Sequence, residues 1–576
     1  MSYAPPAVTS ALARHRRPLV AVVLAAVAYL YVFPYQPTIN NPNENSRLYM
    51  TASMVELGTY RLDEIRERWG WTNDCAAKDG HFYSVKAPGT SLLGVPAYAA
   101  YYWLGRSLGF ALDRTTALWL VRVTATVLPA LLFFFFFYRW LARRSAHGTL
   151  VDAVYLAVVL GSMLYAYGTM FVSHTQSAAV AFGAFMLLHR AREQGEISPA
   201  RAFWAGLFTA AVTLFEYPGF VASLALSAFA LVAIRPRKRL FFFALGGIIP
   251  ALVMMHFQWK AFGSPFTPGH LYVENASLRA AHHEGLYGAD GLHLDAAWKL
   301  LVHPYYGLFV LTPLLALAPV GLVRLLARRA ERVSAAASLA VVVLTYLVIC
   351  TMNNWHAGWS VGPRYLAVCV PFVAWWALEG LDAVAVRAPT AARAVALGTA
   401  LASIVLSGVP SAWYPHPPPP PDFPWPLAEL YAPLIAHGFA PYNALNLVGV
   451  YGTTSMLPLL ALVALAIGWA AWQGPSPGRR LLALAVALPV AFAVVAPFAA
   501  PRERSPETER ALAFVTSTWT PAGHDSAAVL AQALAATPTP DAADLWRLAE
   551  LYREQGREAE ARAAMHRAEA RARRAP

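Results

Sequence analysis

Residues 117–144 read ALWLVRVTATVLPALLFFFFFYRWLARR. The run 117–138 is about as long as the roughly 20 residues a helix needs to cross the hydrocarbon core of a bilayer. It stops at Arg139, Arg143 and Arg144. Similar runs lie near 18–34, 150–171, 174–189, 202–216, 218–234, 240–258, 305–323, 335–352, 365–380, 393–410, 455–473 and 480–499, which makes thirteen. Alternate connections carry the basic residues: Arg190/Arg192/Arg201, Arg235/Arg237/Lys238/Arg239, Arg324/Arg328/Arg329/Arg332, Arg387/Arg393 and Arg479/Arg480. The connections between them (35–116, 259–304, 353–364 and 411–454) are long, aromatic and poor in Lys and Arg. Positive charge retained on the cytoplasmic side gives this alternation. The expected fold is an all-α polytopic membrane protein of about 13 transmembrane helices.

Composition agrees. Of 576 residues, 57% are apolar and 13% are Asp, Glu, Lys or Arg, half the charged share of a soluble domain. The net charge of +13 would suggest nucleic acid if it formed one patch. It is spread in strips beside membrane lipid, so no nucleic-acid partner is expected. Cys75, Cys350 and Cys369 offer no disulfide framework and no zinc spacing.

Residues 1–17, with Arg14, Arg16 and Arg17, form a cytoplasmic N-terminus, and 18–34 an uncleaved first span. The transmembrane domain runs over 18–500, with a large first external loop at 35–116. Counting 89–104 as a span would place every later basic strip outside, so it is expected to be a juxtamembrane or re-entrant helix. Residues 501–576 hold eleven Arg and eleven Asp or Glu and form a soluble helical tail on the external side. Leu545, Leu548, Leu551 and Tyr552, then Ala561, Ala564, Met565 and Ala568, give one tetratricopeptide-like hairpin over about 541–573.

Chemistry-bearing residues collect in the external connections. The first opens Asn40-Asn41-Pro42-Asn43-Glu44-Asn45-Ser46-Arg47. Glu44, at the membrane surface, can be a general base if partial burial tunes it, or a helix cap for 46–57. Asp74 follows, then Tyr83 and Lys86-Ala87-Pro88-Gly89; a lysine at headgroup depth can hold a lipid phosphate or simply snorkel. His174 lies between two runs, and 259–304 contains His270 and Glu274. His356 precedes Gly362-Pro363-Arg364, where Arg364 runs against the charge trend and offers a phosphate a planar fork of donors.

The order of these features resembles the bacterial integral-membrane glycosyltransferases of the GT-C superfamily, family 39 type, which includes protein mannosyltransferases and lipid A aminoarabinose transferases. The matching blocks are Asn43-Glu44, Lys86-Ala87-Pro88-Gly89, Gly263-Ser264-Pro265-Phe266, Tyr306-Gly307-Leu308-Phe309 to Pro313, and Gly362-Pro363-Arg364-Tyr365-Leu366. They cover about 15–380. The resemblance implies a GT-C-like bundle in a bacterial inner membrane and a polyprenyl-phosphate-linked sugar donor. It further implies an acceptor (protein, lipid or glycan) whose hydroxyl displaces the lipid phosphate with inversion. Glu44 becomes the base. Lys86, Arg364, Arg47, Tyr83 and His174 become donor-binding residues, with Asp74, Glu274, His270 and His356 in reserve on the acidic or acceptor side. Glu44 and His174 form the place for a divalent metal ion. The alternative is a transporter or flippase of lipid-linked saccharides, which needs ionisable groups near the midplane; the runs are nearly free of them.

Overall fold

The computed structural model describes residues 11–33, 41–473, 476–519 and 523–573. The side chain of Arg14 and all of Asn40, named above, lie outside the described residues. The protein is an all-α polytopic membrane protein. Seven described helices are long and apolar enough to cross a bilayer: Arg114–Leu141, Arg237–Phe262, Arg332–Cys350, Arg364–Ala385, Pro389–Trp413, Thr453–Ala471 and Pro477–Ala499. An eighth span is the pair Gly148–Val159 and Met163–Thr169, bent by 55° at Gly161-Ser162. The other apolar runs are also helical but shorter or more polar, as in Ala11–Tyr31, His174–Gln194, Pro199–Phe215, Tyr217–Ala233 and Pro313–Ala327. Thirteen runs are therefore thirteen helical stretches, of which seven or eight span by their own length and apolarity.

The helix Gly89–Leu108 is not among the seven. It packs on Pro42–Glu56 in the first external connection. That connection holds a feature the apolar pattern does not announce: an antiparallel hairpin of Cys75–Lys78 and His81–Ser84, with Cys75 opposite Ser84 and Lys78 opposite His81. Asp79 and Gly80 turn it with φ of 53° and 78°, the two left-handed residues that a tight hairpin turn needs.

The tail contains more helix than expected. Pro506–Ser517 and Ser526–Ala536 precede the hairpin Ala542–Glu554 and Glu558–Ala572. Leu545, Leu548 and Ala549 pack with Ala564, Ala568 and Ala527 in a separate small core. Trp519 ties the tail to the 411–454 connection: its indole N–H donates to the Ala440 carbonyl at 2.7 Å, and its ring meets Phe439 and Tyr414.

Candidate active site

The site forms where three connecting elements converge on the bent pair. Asn41 caps Pro42–Glu56 by accepting from the Glu44 amide, and Pro42 occupies the first turn where its missing N–H costs nothing. This helix is buried on every face from Asn43 to Ser53. Its polar groups are consequently satisfied inside the protein. Ser46 Oγ and Ser84 Oγ sit 2.5 Å apart, joining helix to hairpin. Thr51 donates to Ser91 O and Ser91 to Arg47 O, both at 3.0 Å, joining helix to the start of Gly89–Leu108.

The hairpin returns the chain so that Lys86 Nζ lies 2.9 Å from Asp74 Oδ2. Gly89 then approaches the end of Pro199–Phe215 so closely that a Cβ would stand 2.7 Å from Leu214 O and 2.8 Å from the Phe215 ring. Only glycine fits there, and the contact brings Lys86 beside Glu216. Arg47, 2% exposed, donates to Ser173 Oγ at 2.6 Å and stands 3.5 Å from Glu216 Oε1. Ser173 also donates to Glu216 Oε1, and His174 Nδ1 lies 3.4 Å from it. Arg364 completes the cluster, with Arg47, Lys86 and Asp74 within reach of its charge.

Burial opposes the charge on Asp74, yet Lys86, Arg364 and Arg47 outweigh it and hold the carboxyl below its ordinary value. Burial depresses Lys86, Asp74 partly restores it, and Arg47 and Arg364 depress it further. Three cations thus face two acids, Asp74 and Glu216. Arg364 lacks a close carboxylate, although Asp74 and Glu216 act on its charge from farther off. Among the described residues no carboxylate lies within 4 Å of it, and its buried Nε has no acceptor.

Glu44, expected as the base, is enclosed in an ion pair. Its side chain is 0% exposed. Arg122 Nε donates to Oε1 at 2.6 Å and Nη2 to Oε2 at 2.5 Å; the Phe171 amide and Asn41 Nδ2 add 2.6 and 2.5 Å. Burial raises its pKa, but Arg122 first and then His416 and the Phe171 amide bring it below the ordinary carboxylate value. A carboxylate holding four N–H donors and closed to solvent has no lone pair to offer an acceptor. Nor does it suit a metal with His174: a guanidinium occupies one partner and Glu216 the other. Asp74 and Glu216 likewise each face a cation.

Other expected residues divide between site edge and scaffold. His270 stacks its edge on Tyr217 and His282, near Lys86 and Asp74. Tyr83 is buried against Phe262. Glu274 accepts from Arg66 at 2.8 and 3.0 Å and pairs its amide with Cys75 O, so it clamps the hairpin. His356 accepts from the Gly358 amide and shapes the turn before Arg364.

The reading of the sequence missed Arg122, His416 and the part played by Glu216. Arg122 interrupts an otherwise apolar run, and a lone arginine there demands a buried carboxylate. His416 lies 2.7 Å from Asn41 Nδ2, a pairing across 375 residues that no local pattern signals.

A cavity of about 1040 Å³ lies among the helices; its lining includes Gly89 and Phe215, close in the chain to Lys86 and Glu216, but none of Arg47, Asp74, Lys86, Glu216 or Arg364. Gly89, Leu92, Leu214 and Phe215 line one end, Leu132, Phe136 and Ile249 the walls, and Arg139, Arg143, Arg144 and Arg190 the other end. Two acids within helices, Asp152 and Glu379, are paired: Arg17 and Arg328 stand 3.4 and 2.8 Å from them.

No protein-family model and no curated protein matches the chain. Among solved structures it is similar to ArnT from Cupriavidus metallidurans in the apo state, at 16% identity over 88% of this chain and 80% of that one, with a TM-score of 0.47. The same protein bound to undecaprenyl phosphate matches at 14% identity over the same shares, with a TM-score of 0.43.

Proposed function

We propose that the protein is a GT-C-type glycosyltransferase that moves a sugar from a polyprenyl-phosphate donor to an acceptor hydroxyl, at the membrane face opposite the arginine strips. The observation that carries this reading is Arg364: a partly buried guanidinium whose Nε is buried without an acceptor, with no carboxylate within 4 Å among the described residues, grouped with Lys86 and Arg47. A cation with a buried, unsatisfied donor calls for an anion, and a cavity with apolar walls reaches Gly89 and Phe215, close in the chain to Lys86 and Glu216.

In this scheme the donor phosphate rests on Arg364 and Lys86. Lys86 exchanges its contact with Asp74 for one with a phosphate oxygen. Glu216, 15% exposed on its side chain and steadied through Oε1 by Ser173, Arg47 and His174, takes the proton of the acceptor hydroxyl. The acceptor oxygen bonds to the anomeric carbon as the bond from that carbon to the phosphate oxygen breaks. Polyprenyl phosphate leaves with its electron pair, and attack from the opposite face inverts the centre. Phosphate is already a good leaving group, so the cations stabilise growing charge and no acid is required. Glu44 has a different part: with Arg122 it anchors the helix that carries Arg47.

The test is to incubate purified protein with radiolabelled polyprenyl-phosphate sugars and membrane extract and follow the label. The reading expects transfer by the wild type and none by Glu216→Gln. Label that stays on the lipid with every sugar offered contradicts it.

A further inference from the structure

The arginine end of the cavity, remote from Lys86 and Arg364, is built from four residues on two helix ends. Arg139 lies in the last turn of the span Arg114–Leu141, Arg143 and Arg144 follow it, and Arg190 lies near the end of His174–Gln194. Arg144 is satisfied: it stands 3.0 Å from Glu193 and 3.2 Å from Glu331. His189 Nε2 is 3.2 Å from Glu193 as well, so Oε1 of Glu193, the one carboxylate lining this end, already serves two partners. Among the described residues no acid lies within 4 Å of Arg139, Arg143 or Arg190. These three crowd one another. Desolvation, then Arg139 and Arg190, hold Arg143 below its ordinary value. Directly beside them the cavity turns apolar, and Leu132 and Phe136 face outward, 61% and 47% exposed, at the depth of lipid chains.

We infer that this end of the cavity is a binding site for an anionic glycerophospholipid, whose phosphate is held by Arg139, Arg143 and Arg190 and whose acyl chains lie along Leu132, Phe136 and Met186. The charge fixes the ligand class. A zwitterionic lipid would bring a cation toward three unpaired guanidiniums, whereas a net negative headgroup removes their mutual repulsion. The apolar wall distinguishes a lipid from a free phosphate, which would have no use for it. The lipid belongs to the leaflet of the basic strips. The inference stands independently of the transfer reading, because none of its residues touches the Lys86–Arg364 cluster.

The experiment uses the full chain, purified in detergent and delipidated. Its melting temperature is followed while phosphatidylglycerol, phosphatidylcholine of the same acyl chains, or inorganic phosphate is added, with native mass spectrometry counting bound lipid. Phosphatidylglycerol is expected to raise the melting temperature and remain bound, and the other two are not. Arg143→Gln with Arg190→Gln should weaken apparent affinity at least tenfold, and Arg480→Gln, outside the cavity, should leave it unchanged. Met186→Trp, which fills the apolar wall with the arginines intact, should weaken it too and covers the case of a double variant that fails to fold. Equal response to phosphatidylcholine, wild-type affinity in the Met186→Trp or double variant, or full reproduction by inorganic phosphate overturns the inference.

Discussion

Glu44 and Arg122 form a closed ion pair, at 2.5 and 2.6 Å across two parallel hydrogen bonds, with neither side chain more than 6% exposed. The pair ties the first external helix to the span that begins at Arg114 and fixes where Arg47 stands. Charge buried this deeply is held by its partner, and it is the partner's loss that is costly.

Glu44→Ala is therefore expected to lower stability by about 3–5 kcal/mol, the cost of stranding a buried charge. Thermal unfolding in detergent reads it. Replacing Glu44 and Arg122 together with Met should be less damaging than the sum of the single changes, since no charge is then left alone. Strict additivity would show that the two do not act as a pair.

Glu216→Gln and Glu44→Gln separate base from anchor. The first should reduce kcat by about 10²–10⁴, the range of a general base, with a small change in melting temperature and loss of the acid limb in the pH–rate profile. The second should chiefly lower the melting temperature. The opposite pairing of effects would return Glu44 to the role first expected of it.

Lys86→Ala should cut turnover by about 10²–10³, as removal of a donor to developing charge does. It should raise KM for the donor more than for the acceptor. Steady-state kinetics with each substrate varied in turn would show the split; a larger effect on the acceptor reassigns Lys86.

Gly89→Ala should be far worse than its size suggests. The added methyl meets Leu214 O at 2.7 Å, so the helix must shift, at a cost of about 1–3 kcal/mol for overpacking, and Lys86 moves with it. Loss of both melting temperature and activity is the expected outcome, against no loss for Gly468→Ala, because Gly468 has open space around it and an ordinary helical backbone.

Acid should destabilise the protein in two stages. Burial first, then His282 and Lys86, hold His270 down at about 3, and burial with Arg122 holds His416 at about 4. Unfolded imidazoles gain protons below their ordinary 6.5 that the folded ones refuse, so stability falls as pH drops from there toward 4. Glu44 and Asp74, held below their ordinary 4.5 and 3.8, keep their contribution above those values and lose it as pH falls further. Melting temperature against pH should decline between 7 and 5, and His416→Gln should flatten that decline.

Much of the fold was legible because the bilayer imposes one rule on every span: apolar residues for the length of a helix, then arginines. Such a rule reads along the chain, and it located the helical stretches and the polar face. Runs such as 202–216 and 218–234 also fold as apolar helices, shorter than the seven long apolar ones. The hairpin was readable from Asp79-Gly80 and was obscured by its brevity. The site was legible only in part. Lys86, Arg364 and Asp74 stood out because charge is scarce in such a chain. Glu44 stood out for the same reason, but scarcity does not announce its pairing with Arg122, a partner 78 residues away. Glu216 needed the third dimension, since only the Gly89 contact with Leu214 brings it beside Lys86.

The most direct measurement is the affinity of purified protein for polyprenyl phosphate against the unphosphorylated polyprenol, in the wild type and in Arg364→Ala. A charge-assisted hydrogen bond of about 1.5–3 kcal/mol predicts that the wild type prefers the phosphate by about 10- to 100-fold and that Arg364→Ala loses most of that preference while still binding the alcohol. Equal affinity of the wild type for the two lipids, or an undiminished preference in Arg364→Ala, would contradict the account.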